Sequence, residues 1–97
     1  MKFYTEITLI AATAATLAQA ATVNVCKGQG KTECIPVNAP AFICTNLVSA
    51  DGRPFISGYS DGAVCDIYSS PNCNGIGNTV DGAGWSKFPF NVWSIEC

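Results

Sequence analysis

Apolar and polar residues alternate in short stretches along most of this chain, with the two-residue period of half-buried strands. Val23 and Val25 share one face of the stretch 22–26, and Asn24 lies on the other. Stretches 64–68 and 92–97 repeat the pattern, the latter with Trp93, Ile95 and Cys97 on a common face. Together with 34–37, 41–48, 55–59, 76–80 and 85–88, they make eight expected strands. All nine glycines and all five prolines lie beyond residue 20, punctuating the chain too often for helices. Asp51-Gly52, Asp61-Gly62 and Asp81-Gly82 read as turns. Short strands at regular spacing predict an all-β domain, a sandwich of two sheets.

Residues 1–20 depart from this pattern. Lys2 precedes an apolar run over 7–17, and Ala18-Gln19-Ala20 supplies the small-x-small site of a signal peptidase. The run is too short to span a bilayer, which takes roughly 20 apolar residues. The expectation is a leader over 1–20, a single domain over 21–97, and a secreted, extracellular product with no membrane anchor.

Cys26, Cys34, Cys44, Cys65, Cys73 and Cys97 all fall in that domain. An even count in a short exported chain reads as a disulfide framework. A zinc site needs closely spaced pairs, whereas the nearest two cysteines here have seven residues between them. Cys26-x7-Cys34 and Cys65-x7-Cys73 have identical spacing 39 residues apart, which suggests two similar units of about 21–60 and 61–97 sharing one core.

Composition removes several function classes. The 97 residues include no histidine, so neither a Ser-His-Asp nor a Cys-His mechanism is available. Five basic against seven acidic residues, a net charge of −2, offer no cationic surface for nucleic acid or anionic lipid. Lys27, Lys31 and Arg53 read as dispersed solubilising charges. Of the carboxylates, Asp51, Asp61 and Asp81 precede glycine and belong to turns, and Asp66 reads as a solvated strand charge. No general acid–base pair emerges, and no enzymatic activity is expected. The eight aromatic residues beyond residue 20 read first as core packing, and Trp85, Phe88 and Phe90, grouped near Pro89, are the candidate contact surface.

Tyr68-Ser-Ser-Pro-Asn-Cys-Asn-Gly75 places an aromatic residue, six residues and a glycine in order. Phe88-Pro-Phe90-Asn91-Val92-Trp93-Ser94-Ile95 closes the chain. These segments resemble the Greek-key motif of the βγ-crystallin family and its closing Phe-Asn…Ser-Ser-Ile stretch. Cys44-Thr-Asn-Leu47, Cys65-Asp-Ile-Tyr68, Asn72-Cys73-Asn-Gly75 and Ser94-Ile-Glu-Cys97 resemble small secreted fungal proteins of crystallin-like type. In the first half, Gln29 and Pro36 stand where the aromatic and the glycine belong.

The resemblance implies two Greek-key repeats, each sheet taking three strands from one repeat and the third strand of the other. That places the Cys44 strand beside the Cys97 strand, and favours Cys26–Cys34, Cys65–Cys73 and Cys44–Cys97. A competing set joins Cys65 to Cys97 and Cys44 to Cys73. It also implies a calcium stretch in each repeat, of which only Asn91 and Ser94 remain, flanked by Phe90 and Ile95; residues 52–57 keep almost nothing. Calcium needs about six to eight oxygen ligands, so no metal and no cofactor are expected, and Asn91 and Ser94 are assigned to turn hydrogen bonds. The functional expectation is a monomeric fungal apoplastic effector or elicitor that acts on an extracellular host or microbial protein or glycan. Alternatives are an antimicrobial or killer-type toxin, and a small protease inhibitor presenting Ile35-Pro36 or the 51–54 loop.

Overall fold

The computed structural model describes residues 20–97. The leader expected over 1–20 therefore lies outside the described residues except for Ala20. Seven antiparallel strands follow: β1 (Ala21–Gly28), β2 (Thr32–Ala39), β3 (Cys44–Asn46), β4 (Ser57–Ser60), β5 (Cys65–Ser70), β6 (Asn74–Val80) and β7 (Ser94–Glu96). A single 3-10 turn, Pro71–Cys73, joins β5 to β6.

The strands form two sheets, ordered β2-β1-β4 and β3-β7-β5-β6. The expected alternation holds where it was clearest, because Val23 and Val25 are both fully buried. With Leu47, Phe55, Ile67, Val80, Phe88, Val92 and Ile95 they make the core. Phe55 is wholly enclosed, and Trp93 meets it edge-on with ring centroids 6.4 Å apart.

Two expected strands depart furthest from the sequence pattern. The stretch 85–88 pairs only at Trp85, opposite Gly58. Gly84, with a φ of 66°, turns the chain just before it. A Cβ at Gly84 would collide with the Gly58 carbonyl, so the close approach of this segment depends on glycine. The stretch 41–48 becomes a strand only at Cys44, because residues 40–43 form a turn closed by the Ile43 N–H on the Pro40 carbonyl at 3.3 Å.

Each sheet has one folded hairpin, and each hairpin is fastened by one fully buried serine. Ser57 on β4 accepts the Lys31 N–H at 3.0 Å and donates to the Gly28 carbonyl at 2.6 Å. Ser94 on β7 accepts the Cys73 N–H at 2.9 Å and donates to the Ser70 carbonyl at 2.6 Å. The backbone there is left-handed at Gly30, Lys31 and Glu33 in one hairpin, and at Asn72, Cys73 and Gly75 in the other. Such positions persist only when their surroundings hold them.

The disulfides are Cys26–Cys34, Cys44–Cys73 and Cys65–Cys97, with no cysteine left free. The expected Cys65–Cys73 and Cys44–Cys97 bridges are thereby corrected, and strand register explains why. β3 does lie beside β7, but Cys44 faces Glu96. Cys97 is one residue further on, and alternation sends its side chain to the opposite face. Cys65 faces Val80 at one end of the β5–β6 hairpin, while Cys73 sits in the turn at the other. Five strand residues separate those ends by about 16 Å, far beyond the roughly 7 Å that a disulfide spans. Extending the register Asp66↔Glu96 by one residue brings Cys65 opposite Cys97, their Cα atoms 4.3 Å apart.

Candidate functional site

Of the three aromatic residues that form the candidate contact surface, one lies in the core and two lie at its margin. Phe88 is 4 % exposed and belongs to the core, held there by its N–H on the Ile56 carbonyl at 2.6 Å. Trp85 and Phe90 are half-buried and pack against that core. The Trp85 indole donates to the Thr79 carbonyl at 2.8 Å, so its polar edge closes part of the free edge of β6. Exposed apolar side chains occur elsewhere, notably Phe42, Ile43, Val48, Val64 and Ile76. Nothing in hydrophobic periodicity distinguishes them from strand residues: 41–48 reads as one buried run until the turn at 40–43 is known.

Ser94 makes hydrogen bonds to hairpin backbone, the kind of role expected of it, while Asn91 is exposed. Because both functions of the Ser94 hydroxyl are taken, it has little left for a cation. Among the described residues no cluster of three acidic or metal-ligating side chains occurs. Adding millimolar calcium is expected to leave the melting temperature unchanged, since a ligand that binds only the native state raises it by mass action. Differential scanning fluorimetry with and without calcium checks this, and a clear rise would refute the assignment of Ser94 and Asn91.

The charged residues are less dispersed than their positions in sequence suggest. Lys27 Nζ lies 2.8 Å from Asp51, Arg53 Nε 2.9 Å from the same carboxylate, and Arg53 Nη2 2.6 Å from Glu33. The Asp51 turn also accepts the Arg53 N–H at 3.1 Å and the Ser49 hydroxyl at 3.1 Å. Lys27 lies 5.7 Å from the centroid of the Phe55 ring, giving a cation–π contact with the core aromatic. Lys31, at the hairpin tip, donates to the Ala83 carbonyl at 2.7 Å. Two cations and two anions thus join the loop before β4 to the β1–β2 hairpin. Partners 20 and 24 residues apart leave no local sequence signal.

Hydrogen bonds from Lys27 and then Arg53 hold the Asp51 carboxyl well below the usual carboxylate range. A hydrogen bond from Arg53 also lowers the Glu33 carboxyl. A carboxyl whose folded pKa is depressed stabilises the fold above its unfolded value, near 3.9 for aspartate, and loses that contribution as pH falls through the folded value. Acid titration of the Asp51 carboxyl carbon by NMR is expected to show it still ionised below the range near 3.9 in which an unperturbed aspartate protonates. A midpoint in that ordinary range would mean that the network does not form in solution. Both carboxylates are exposed, so the effect is to be sought in this titration rather than in a large stability change.

Asp81 and Asp61 are engaged separately. Asp81 accepts the Ala83 and Gly84 N–H groups, each at 3.0 Å, as an Asp-Gly turn should. Asp61 instead accepts the Thr22 N–H at 3.0 Å and so fastens the start of β1. The buried hydroxyl of Ser60 supports that turn by accepting the Gly62 N–H at 3.1 Å. No pocket opens among the described residues. What the arrangement offers chemically is a cross-linked, closed scaffold whose accessible features are all on its outer surface. The chain matches no family model, no curated protein and no solved structure.

Proposed function

We propose that this chain is a secreted, non-enzymatic interaction protein on a double Greek-key, βγ-crystallin-like scaffold, acting outside the cell as a fungal effector or elicitor. The observation that carries the binding role is the closure of all six cysteines in an all-β fold that opens no pocket among the described residues. Such a molecule acts through its outer surface, and disulfides suit an oxidising compartment.

The scaffold reading is supported by the crossing of strands between sheets. β3, from the first half, joins β7, β5 and β6, while Trp85, from the second half, bridges to β4 of the other sheet. Positive φ at residues 30, 31 and 33 is repeated at 72, 73 and 75, 42 residues further on. Ser57 and Ser94 fasten the two hairpins alike, and Phe55 pairs directly with Val92, as symmetry-related residues on a pseudo-twofold axis would. Under this symmetry Glu33, with a φ of 57°, is the counterpart of Gly75.

Three observations weigh on the other readings. The arginine of the 51–54 loop is bound to Asp51 and Glu33, so the most basic candidate for an inhibitory loop is not free to enter a protease. Ile35-Pro36 is in a paired strand, opposite Val25 and Asn24, rather than in a protruding loop. A toxin acting on anionic membranes needs an excess of Lys and Arg that this acidic chain does not have.

Purified protein infiltrated into leaves, beside a growth-inhibition assay on yeasts, separates the effector from the killer toxin: the expected result is a leaf response without growth arrest. Arrest without a leaf response would favour the toxin. Export is checked by intact mass, which is expected to match residues 21–97 less six hydrogens.

A further inference from the structure

The three disulfides differ in what an attacking thiol can reach. Cys26 is fully buried and Cys65 is 1 % exposed, so Cys26–Cys34 and Cys65–Cys97 each have one sulfur closed to attack. Attack on the outer sulfur, at Cys34 or Cys97, would expel a thiolate into apolar surroundings. Those surroundings raise its pKa and make it a poor leaving group. Cys44 and Cys73 are both half-buried, so their bridge is open from either end. Its surroundings are lightly held as well. β3 pairs with β7 through three residues and sends no side chain into the core. Leu47 is the only buried residue between 40 and 50. Asn46 and Asn72 exchange two hydrogen bonds, of 2.7 and 3.0 Å, at an exposed position. Firm attachment resumes on both sides, at fully buried Ala39 and at Asp51, which is bonded to Lys27 of β1.

We propose that Cys44–Cys73 is a thiol–disulfide exchange site, opened by a dithiol while the other two bridges stay closed, and that opening it releases residues 40–50 as a flap hinged at both ends. One thiolate of the dithiol attacks the sulfur of Cys44 or Cys73, and the other cysteine leaves as a thiolate and takes up a proton. The second sulfur of the dithiol then attacks the mixed disulfide and releases the first cysteine. Two electrons pass from the dithiol, which ends as a cyclic disulfide, to the two cysteines, which end as thiols. A dithiol is the class required, because the cysteine held nearby expels a monothiol from the mixed disulfide and closes the bridge again. Glu96 lies opposite Cys44 and Asp66 opposite Glu96, and neither is in an ion pair among the described residues. These carboxylates repel a thiol that carries a further negative charge, so an uncharged dithiol is preferred. As the flap opens, Leu47 gives up its N–H bond to the Trp93 carbonyl, 2.9 Å in the closed form, and bares the edge of β7. The exchange site does not depend on the proposed role as an effector.

The test exposes the protein, with all three disulfides formed, to dithiothreitol under native conditions, then traps free thiols with iodoacetamide and maps them. Cys44 and Cys73 are expected to be alkylated at least about tenfold faster than the other four cysteines, through a species that keeps two bridges. Earlier labelling of Cys26 and Cys34 or of Cys65 and Cys97, or loss of all three bridges together, would overturn the exchange site. Amide hydrogen exchange on the two-bridge species measures the flap. Leu47 is expected to exchange faster, while Val23, Val25 and Ile67, on strands with a neighbour on each side, stay as slow as in the intact protein. Unchanged exchange at Leu47 refutes the flap, and so does loss of protection at all four residues. The double variant Cys44→Ser, Cys73→Ser, free of bulky thiol caps, is expected to give the same pattern without reductant. Slow exchange at Leu47 there would assign the opening to the caps and refute the flap. Finally, Glu96→Gln is expected to speed reduction by dimercaptosuccinate, an anionic dithiol, more than reduction by dithiothreitol. An equal change with both would overturn the preference for an uncharged dithiol.

Discussion

Cys97→Ser is expected to destabilise the protein by about 4 kcal/mol and to release the thiol of Cys65, leaving Cys44 bonded. The loop closed by Cys65–Cys97 has a sequence separation of 32, and the chain-entropy relation gives about 3.7 kcal/mol for a loop of that size. Cys26–Cys34, with a separation of 8, closes a loop for which the same relation gives about 2.6 kcal/mol. Cys34→Ser is therefore the milder change, even though both bridges lie across paired strands. The thiol left at position 65 is 1 % exposed and sits among apolar neighbours, where an unpaired cysteine packs as a small hydrophobe. No second penalty for a buried polar group is expected from it. Urea denaturation measures the stability difference, and non-reducing peptide mapping of the variant identifies the free thiol. Release of Cys44 instead would restore the pairing first inferred from repeat symmetry.

That inference went astray through a coincidence in cysteine spacing. Equal spacing aligns Cys26 with Cys65, yet the structural equivalents are three residues away: Ser57 faces Cys26, and Ser94 faces Tyr68. Judged by hairpin geometry, the halves correspond with an offset of 42, not 39, and Cys73 matches Lys31 rather than Cys34. The 39-residue offset also placed Gln29 and Pro36 against Tyr68 and Gly75. Side-chain alternation was a better guide, because burial of Val23, Val25, Ile67 and Ile95 depends only on the local two-residue period. The strands legible in the sequence were those whose faces alternate; the turn at 40–43 was not, since Ala41, Phe42 and Ile43 have apolar side chains and nothing local signals a positive φ. Phe88 belongs both to the expected 85–88 strand and to the candidate contact surface, and no local pattern chooses between them. A backbone hydrogen bond to Ile56, 32 residues earlier, carries it into the core. Long-range pairing of this kind, like the meeting of Lys27 and Arg53 at Asp51, has no counterpart in a one-dimensional pattern.

Ser94→Ala is expected to cost about 2–4 kcal/mol, unusually much for the loss of one oxygen atom. The hydroxyl is fully buried and satisfies two backbone groups at once, the Cys73 N–H and the Ser70 carbonyl. Alanine restores neither, and each buried group left unpaired costs about 1–3 kcal/mol. Asn72 and Cys73, held at φ of 63° and 56°, then lose the contact that opposes their strain. Ser57→Ala is expected to act in the same direction but more weakly, because it frees the Gly28 carbonyl and the N–H of the left-handed Lys31 where water reaches the exposed Lys31. The two sites belong to different sheets and share no hydrogen-bond partner, so the double variant is expected to show the sum of both effects. Ser86→Ala, at an exposed position, serves as the control and should change stability by no more than about 0.5 kcal/mol. Urea denaturation supplies the energies, and amide hydrogen exchange locates them: faster exchange at Cys73 in Ser94→Ala and at Lys31 in Ser57→Ala, with neither variant loosening the other hairpin. Losses no larger than that of Ser86→Ala would mean that Cys44–Cys73 and Cys26–Cys34 hold the hairpins without the serines.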